Sequence, residues 1–206
     1  MIFGRITAGI YATNCYVIGC DNTKQGVIVD PGGDFERIMR TAAKNGLDIK
    51  YIILTHGHFD HIGALKQVKE QTKAPVAIHR EDAYMLQDPD KSLANPAGES
   101  QGTDAADILL KDGDLLEVGD LTMEIIHTPG HTTGGICIKI GDEMLISGDT
   151  LFADSVGRTD LPGGDYDALI RSIKTKLMPL DEDMKVYPGH GGATTIGKEK
   201  KTNPFL

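Results

Sequence analysis

Alternating strand and helix signals predict a mixed α/β fold, and length and composition predict one globular domain. Short β-branched apolar runs alternate with segments of helical periodicity along most of the chain. The length, 206 residues, suits one domain spanning 1–206, or at most two small ones, with one sizeable core. Hydrophobic residues make up 40% and charged residues 25%, as in ordinary globular proteins. No apolar run approaches the ~20 residues of a bilayer-spanning helix, so no membrane partner is expected.

Residues 12–19 (ATNCYVIG) and 26–30 (GVIVD) read as strands, the second closed by Pro31-Gly32-Gly33. Asp34 stands where it can cap a helix through FERIMRTAAKN, and Gly46 where a left-handed helix stop is wanted. The run Tyr51-Ile52-Ile53-Leu54 is short, β-branched and bounded by a polar turn, the pattern of a buried strand. A helix from about His61 to Gln71 and a strand over 75–79 follow. Residues 87–107 are rich in Asp, Pro, Gly and Ser and lack periodicity. A loop of that length inside a compact domain is usually functional, and an active-site rim is expected here. Strands over 121–127, 135–140 and 143–147, a helix over about 166–177 and a short strand over 184–187 complete the map. No internal repeat is present.

The net charge is −9, from 21 basic and 30 acidic residues. Polynucleotide binding depends on cationic surface, so no nucleic-acid partner is expected. The N-terminus, MIFGRITAGI, lacks the basic segment, apolar stretch and cleavage site of a secretory signal. Three cysteines, Cys15, Cys20 and Cys137, are an odd and sparse set, read as reduced thiols of a cytoplasmic protein and as core positions rather than a metal pair. Homo-oligomerisation stays open.

The chemistry concentrates in Thr55-His56-Gly57-His58-Phe59-Asp60-His61, directly after a buried strand. Three imidazoles and a carboxylate are the donor set that borderline divalent metals prefer. Gly57 is expected to let the chain turn between the first two donors. The alternative, a His-rich surface loop, has a low chance frequency on its side for this order of residues. His131 and His190 each sit in a Pro-Gly-His turn, and Asp149 follows a strand in Ser147-Gly148-Asp149-Thr150. Singly these are ordinary turns; with the first cluster they read as ligands. Seven donors exceed one tetrahedral ion and suit two. His56, His58 and His131 would hold the first, Asp60, His61 and His190 the second, and Asp149 would bridge, as in metal-assisted hydrolysis. Zinc is the first choice, with iron or manganese as alternatives. His79 is expected to satisfy a carbonyl or face solvent, and His127 to be packed and hydrogen-bonded. Asp30 is either a cap of its turn or a group that orients a ligand histidine.

Thr55–His61 with His131, Asp149 and His190 resembles the metallo-β-lactamase superfamily, and within it the glyoxalase II branch, from about Ile28 to the C-terminus. The resemblance implies a four-layer αβ/βα sandwich, two mixed sheets face to face with helices outside and metals at one edge. It implies hydrolysis of S-lactoylglutathione or a related thiol ester. Classical-length members add a helical domain that contributes glutathione-binding surface; only sixteen residues follow His190 in this chain of 206, so a short member without that domain is expected. Gly157-Arg158-Thr159-Asp160 falls where glyoxalase II has a lysine that contacts the substrate's thiol carrier, near Arg158, and a tyrosine two residues on, at Asp160. Arg158 is accordingly a substrate-binding candidate, with a surface Arg158–Asp160 pair as the alternative.

In the hydrolytic mechanism a metal-held hydroxide attacks the thioester carbonyl, and a thiolate leaves without acid assistance. Asp60 and Asp149 are the expected catalytic carboxylates, Asp60 accepting a hydrogen bond from the nucleophile. The same stretch also resembles persulfide dioxygenases of this fold, which hold a single iron at the positions of His56, His131 and Asp149. A metal-stabilised scaffold without turnover is a third reading. Ribonuclease activity fits poorly with the acidic charge. Lactamase activity fits poorly with the Asp60-His61 pair and the missing secretion signal.

Overall fold

The computed structural model describes residues 1–95, 97–98 and 103–206. Two six-stranded sheets are present. The first holds β1 (Ile2–Ala8), β2 (Thr13–Gly19), β3 (Gln25–Val29), β4 (Asp48–Ile53), β5 (Val76–His79) and β6 (Ile108–Leu110), in that order. Its first three strands are antiparallel, and β3 to β6 run parallel. The second holds β7 (Leu115–Val118), β8 (Leu121–His127), β9 (Ile136–Ile140), β10 (Met144–Gly148), β13 (Lys185–Pro188) and β14 (Thr194–Thr195). All its pairs are antiparallel except β10 with β13. A two-stranded hairpin, β11 (Leu151–Phe152) and β12 (Ser155–Val156), lies between β10 and β13 in sequence.

The layers follow from alternation within the strands. Val17, Ile28 and Ile52 pack under helices α1 (Phe35–Lys44) and α3 (Leu65–Thr72), on the outer face of the first sheet. Their neighbours Ile18, Val27 and Ile53 point the other way, into a core shared with Met123, Ile125, Ile138 and Ile146 of the second sheet. On that sheet's far side, Ile126, Cys137, Leu145 and Val186 meet Leu169 of α4 (Tyr166–Ser172) and Ile196 of α5 (Ile196–Thr202). Both faces of the central strands are buried, which is why they read as continuous apolar runs. Each fully buried aliphatic side chain contributes about 1.5–3 kcal/mol. The result is the expected αβ/βα sandwich of two mixed sheets.

The local differences have physical causes. The predicted helix from His61 is two: α2 (Phe59–Ile62) and α3 are separated where Ala64 N donates to Pro31 O at 2.8 Å. Asp34 stands before α1 with φ 51° and makes no side-chain cap; its Oδ2 accepts from Gly9 N at 2.9 Å instead. Gly46, at φ +66°, does end α1 as expected. β4 begins at Asp48, three residues before the apolar run. The helix predicted over 166–177 widens after Ser172 into a π turn over Ile173–Leu177, which keeps Ile173 and Leu177 buried. β1, β6, β7, the small hairpin, β14 and α5 have no counterpart in the sequence map. α5 is fixed by Thr195, whose Oγ1 accepts from Lys198 N at 3.1 Å, and by buried Glu199, which accepts from Asp154 N at 2.8 Å. In the expected rim loop over 87–107, Pro96 and Glu99–Gly102 lie outside the described residues. The flanks that are described approach α2: Phe59 N donates to Ser92 O at 2.9 Å.

Candidate metal centre

The fold delivers the seven donors from the ends of four strands. His56 and His58 lie just past β4, with Asp60 and His61 in α2 immediately beyond. His131 follows β8, Asp149 follows β10, and His190 follows β13. β8, β10 and β13 run in the same direction, since each is linked to the others through antiparallel β9 or a parallel pair. Their C-terminal ends therefore open at one edge. The first sheet clasps that edge: Asn14 N donates to Gly189 O at 2.6 Å and Tyr16 Oη to Pro188 O at 2.6 Å.

The side chains converge. His56, His58 and His131 place one donor atom each within 4.8 Å of one another; so do His56, His61 and Asp149, and Asp60, His61 and His190. Asp149 reaches both outer groups, its Oδ2 lying 3.6 Å from His131 Nε2 and 3.6 Å from His190 Nε2. Gly189 allows this closeness, because a Cβ there would collide with Asp149 Oδ1 and stand 2.8 Å from His61 Cε1. Gly57 serves packing rather than a turn: its φ is ordinary, and a Cβ would come within 2.6 Å of Met85 Cβ.

Hydrogen bonds behind the rings orient them inward. Asp30, buried and at φ 50°, accepts Thr55 N at 2.7 Å through Oδ1, and Thr55 Oγ1 at 2.6 Å through Oδ2. The same Oδ2 accepts His61 Nδ1 at 3.0 Å. Thr55 Oγ1, its proton given to Asp30, accepts from His56 Nδ1 at 3.1 Å. His131 Nδ1 donates to Arg158 O at 2.7 Å. Each of these three rings thereby keeps a proton on Nδ1 and turns its Nε2 inward, the arrangement that fixes metal-ligating histidines. Asp30 is thus an orienting group rather than a turn cap. Thr55 and Thr13, whose Oγ1 donates to Asp60 Oδ2 at 3.0 Å, were not distinguished in the sequence. Thr55 was legible only as the residue before His56.

Buried polar atoms normally find partners. Among the described residues, His56 Nε2, His58 Nε2, His61 Nε2 and Asp149 Oδ1 are buried without one. Unpaired nitrogens and a carboxylate oxygen beside one another are the set a divalent cation satisfies. Electrostatics agree. Burial, then its neighbouring imidazoles, holds His58 down to about 3 and His56 well below the usual range. Burial also opposes charge on His61, yet Asp60, Asp149 and Asp30 outweigh it and push that ring up to about 10. Positive charge is favoured where the carboxylates face, and neutral donors where only rings face.

Arg158 makes a two-pronged pair with Asp160, Nε–Oδ1 and NH2–Oδ2 both 2.8 Å, on the exposed surface. A cavity of about 450 Å³ lies beside Asp60, walled by Ala8, Tyr11, Phe59, Ile62 and Lys66. Tyr11 and Phe59 meet edge to face at 4.9 Å. His79 is buried and stacks on half-buried His127 at 3.9 Å and 14°, neither facing solvent nor bonding a carbonyl. His127 Nε2 donates to Thr133 O at 2.9 Å, as expected of a packed histidine. With Glu81 these two rings form a fourth group of potential donors, but in-plane lone pairs held in two parallel planes 3.9 Å apart do not converge on one ion. Cys15, Cys20 and Cys137 are free and buried. Among the described residues no helix is long and apolar enough to cross a membrane.

Known proteins share these features. The model of the metallo-beta-lactamase superfamily matches residues 8–190. Hydroxyacylglutathione hydrolase GloC of Haemophilus influenzae is 39% identical over 95% of this chain and 93% of its own length. The crystal structure of BLEG-1 B3 metallo-beta-lactamase is similar with a TM-score of 0.94 and 41% identity, covering 100% of this chain and 99% of that one. TTHA1623, solved in a di-iron-bound form, gives a TM-score of 0.88 and 35% identity over 98% of this chain and 100% of that one. The four-strand delivery of histidines and aspartates and these likenesses over nearly the whole length together make this chain a member of the metallo-β-lactamase superfamily.

Proposed function

We propose that the protein is a binuclear metallohydrolase that cleaves a small-molecule thioester, S-lactoylglutathione or a related thiol ester, in the manner of glyoxalase II. The observation that carries this reading is Asp149, a carboxylate within 3.6 Å of a ring of each outer donor group. His56, His58 and His131 would hold one ion, Asp60, His61 and His190 the other, and Asp149 would serve both. Bound there, two divalent cations supply a hydroxide near neutral pH and an electrophile for the carbonyl oxygen. Zinc is the first choice; the di-iron form of TTHA1623 keeps iron beside it.

The chain's own residues complete the chemistry. Asp60 is partly exposed and held by Thr13, leaving carboxylate lone pairs to accept a hydrogen bond from the nucleophile and fix its orientation. His190, 31% exposed, marks the side from which substrate enters. A thiolate leaves without a proton donor, so none is required. Burial pushes Cys137 up to about 11 and Cys15 well above the usual thiol range, and Cys20, lowered by bonds from Thr23 and Asp120, lies past the end of β2 opposite Thr13, so no cysteine is assigned as a nucleophile. Arg158 is proposed to exchange its solvent-screened partner Asp160 for a substrate carboxylate, which matches its fork equally well. We also propose one domain over 1–206, in the cytoplasm, with no polynucleotide partner.

A second reading, a mononuclear iron persulfide dioxygenase, draws on Gly157–Asp160, and the likeness to BLEG-1 brings β-lactams into the comparison. Metal content and a three-substrate panel separate them. Two ions per chain, thioester hydrolysis and no oxygen uptake with glutathione persulfide are expected. One iron with oxygen consumption, or faster turnover of a β-lactam than of any thioester, would overturn the proposal.

A further inference from the structure

Asp82 belongs to none of the donor groups, yet its carboxylate lies between two of the loops that carry them. It follows β5 and is fully buried. Its Oδ2 accepts Thr132 Oγ1 at 2.6 Å, and its Oδ1 accepts Gly134 N at 2.6 Å and Thr133 Oγ1 at 3.4 Å. On the other side the main chain of Gly57 packs against Asp82. No cation among the described residues pairs with it. A buried carboxylate satisfied only by hydrogen bonds is costly to keep, and these bonds hold the turn of His131 to the residue on which the loop of His56 and His58 packs. The fit is close on both sides: a Cβ on Gly134 would stand 2.6 Å from Asp82 N, and one on Gly57 3.3 Å from Asp82 O.

His58 is the ring that needs this help. His56, His61 and His131 are each held from behind through Nδ1. His58 has no such tether: its Nε2 is buried without a partner, and its Nδ1 faces His131 Nε2 at 3.0 Å. The separation of those two nitrogens therefore depends on how the main chain at Gly57 is set against the main chain at 132–134. We propose that Asp82 is a positioning residue for the His56–His58–His131 group, acting through the two loops it joins. This rests on the two-ion reading.

Zinc titration of the chelated protein against a competing chelator tests it, with the thermal midpoint of the metal-free form measured in parallel. Asp82→Ala is expected to weaken one of two zinc steps by about 10–100-fold, the range for lost outer-shell partners, and to leave the other step and the metal-free fold in place. Asp82→Asn, which keeps an acceptor for Gly134 N, is expected to fall between alanine and wild type. If the alanine variant does not fold, Thr132→Val, which removes one bond to Oδ2, decides, with a smaller selective loss expected. Two unchanged steps would overturn the proposal. So would equal weakening of both steps with a lowered midpoint, which marks a merely structural role. If wild type itself takes up one ion, the two-ion reading fails, and Asp82 is judged on that one step: selective weakening supports it, no change overturns it.

Discussion

Two groups of histidines in this chain differ in what surrounds their rings. At the sheet edge, His56, His61 and His131 have their outer nitrogens tied to Thr55, Asp30 and Arg158 O, and their inner nitrogens converge with the carboxylates Asp60 and Asp149. At His79 and His127 the rings lie nearly parallel, 3.9 Å apart, and one nitrogen of each is spent on the main chain. Both groups bring three potential donor atoms within 4.8 Å of one another. Convergence of lone pairs, set by the groups behind the rings, separates a metal centre from a packed pair.

The comparison breaks most completely at Asp149. Removing its carboxylate deletes a group that approaches both outer donor sets. Asp149→Ala is expected to abolish turnover, by about three orders of magnitude or more, since a metal contributes several kcal/mol to the transition state. Ions bound per chain should fall below two, and exhaustive chelation of wild type should reproduce the loss. Full activity in either preparation would remove the shared-carboxylate account.

Asp30 sharpens the contrast with a smaller change. Asparagine tolerates the left-handed backbone at this position, φ 50°, so Asp30→Asn should fold. Its amide can accept Thr55 N through oxygen, but the NH2 then faces Thr55 Oγ1 and His61 Nδ1. His61 would have to accept at Nδ1 and carry its proton on Nε2, where the lone pair belongs. Metal affinity is expected to fall about 10–100-fold. Nitrogen chemical shifts of His61 in the zinc-loaded protein report which ring nitrogen keeps its proton; an unchanged Nδ1–H would contradict this account.

The donors were legible because the chain writes four of them within six residues, and because the other three sit beside glycine just past strand-like runs. What stands behind them was less legible. Asp30 read equally as a turn cap, since its partner His61 is 31 positions away and its φ is invisible in sequence. Asp82 gave no signal, its partners Thr132 and Gly134 being about fifty positions on. Among the elements, the central strands were visible because both faces are buried. β1 alternates at an edge, and β7 is mostly exposed, so neither produced a run. The break after α2 arises from the Pro31 carbonyl, a contact between loops that helical periodicity does not contain.

The packed pair offers the finest test. Burial, then the facing His127 ring, lowers His79 from 6.5 to about 4; Arg80 adds to this, while Glu81 and Asp112 oppose it. Its folded value lies below its unfolded one, so between about pH 6.5 and 4 the unfolded chain binds more protons. Stability therefore falls on acidification through that window and levels off below it. His79→Phe keeps a flat ring against His127 and removes the titration. Thermal midpoints of chelated wild type and variant, measured from pH 7 to 4, are expected to converge by a few degrees as the wild type alone loses this contribution. Chelating both proteins leaves the edge cluster to titrate equally in each, so the difference isolates His79. Parallel curves would mean that the buried ring takes up its proton without penalty, and that stacking does not set this histidine apart from an exposed one.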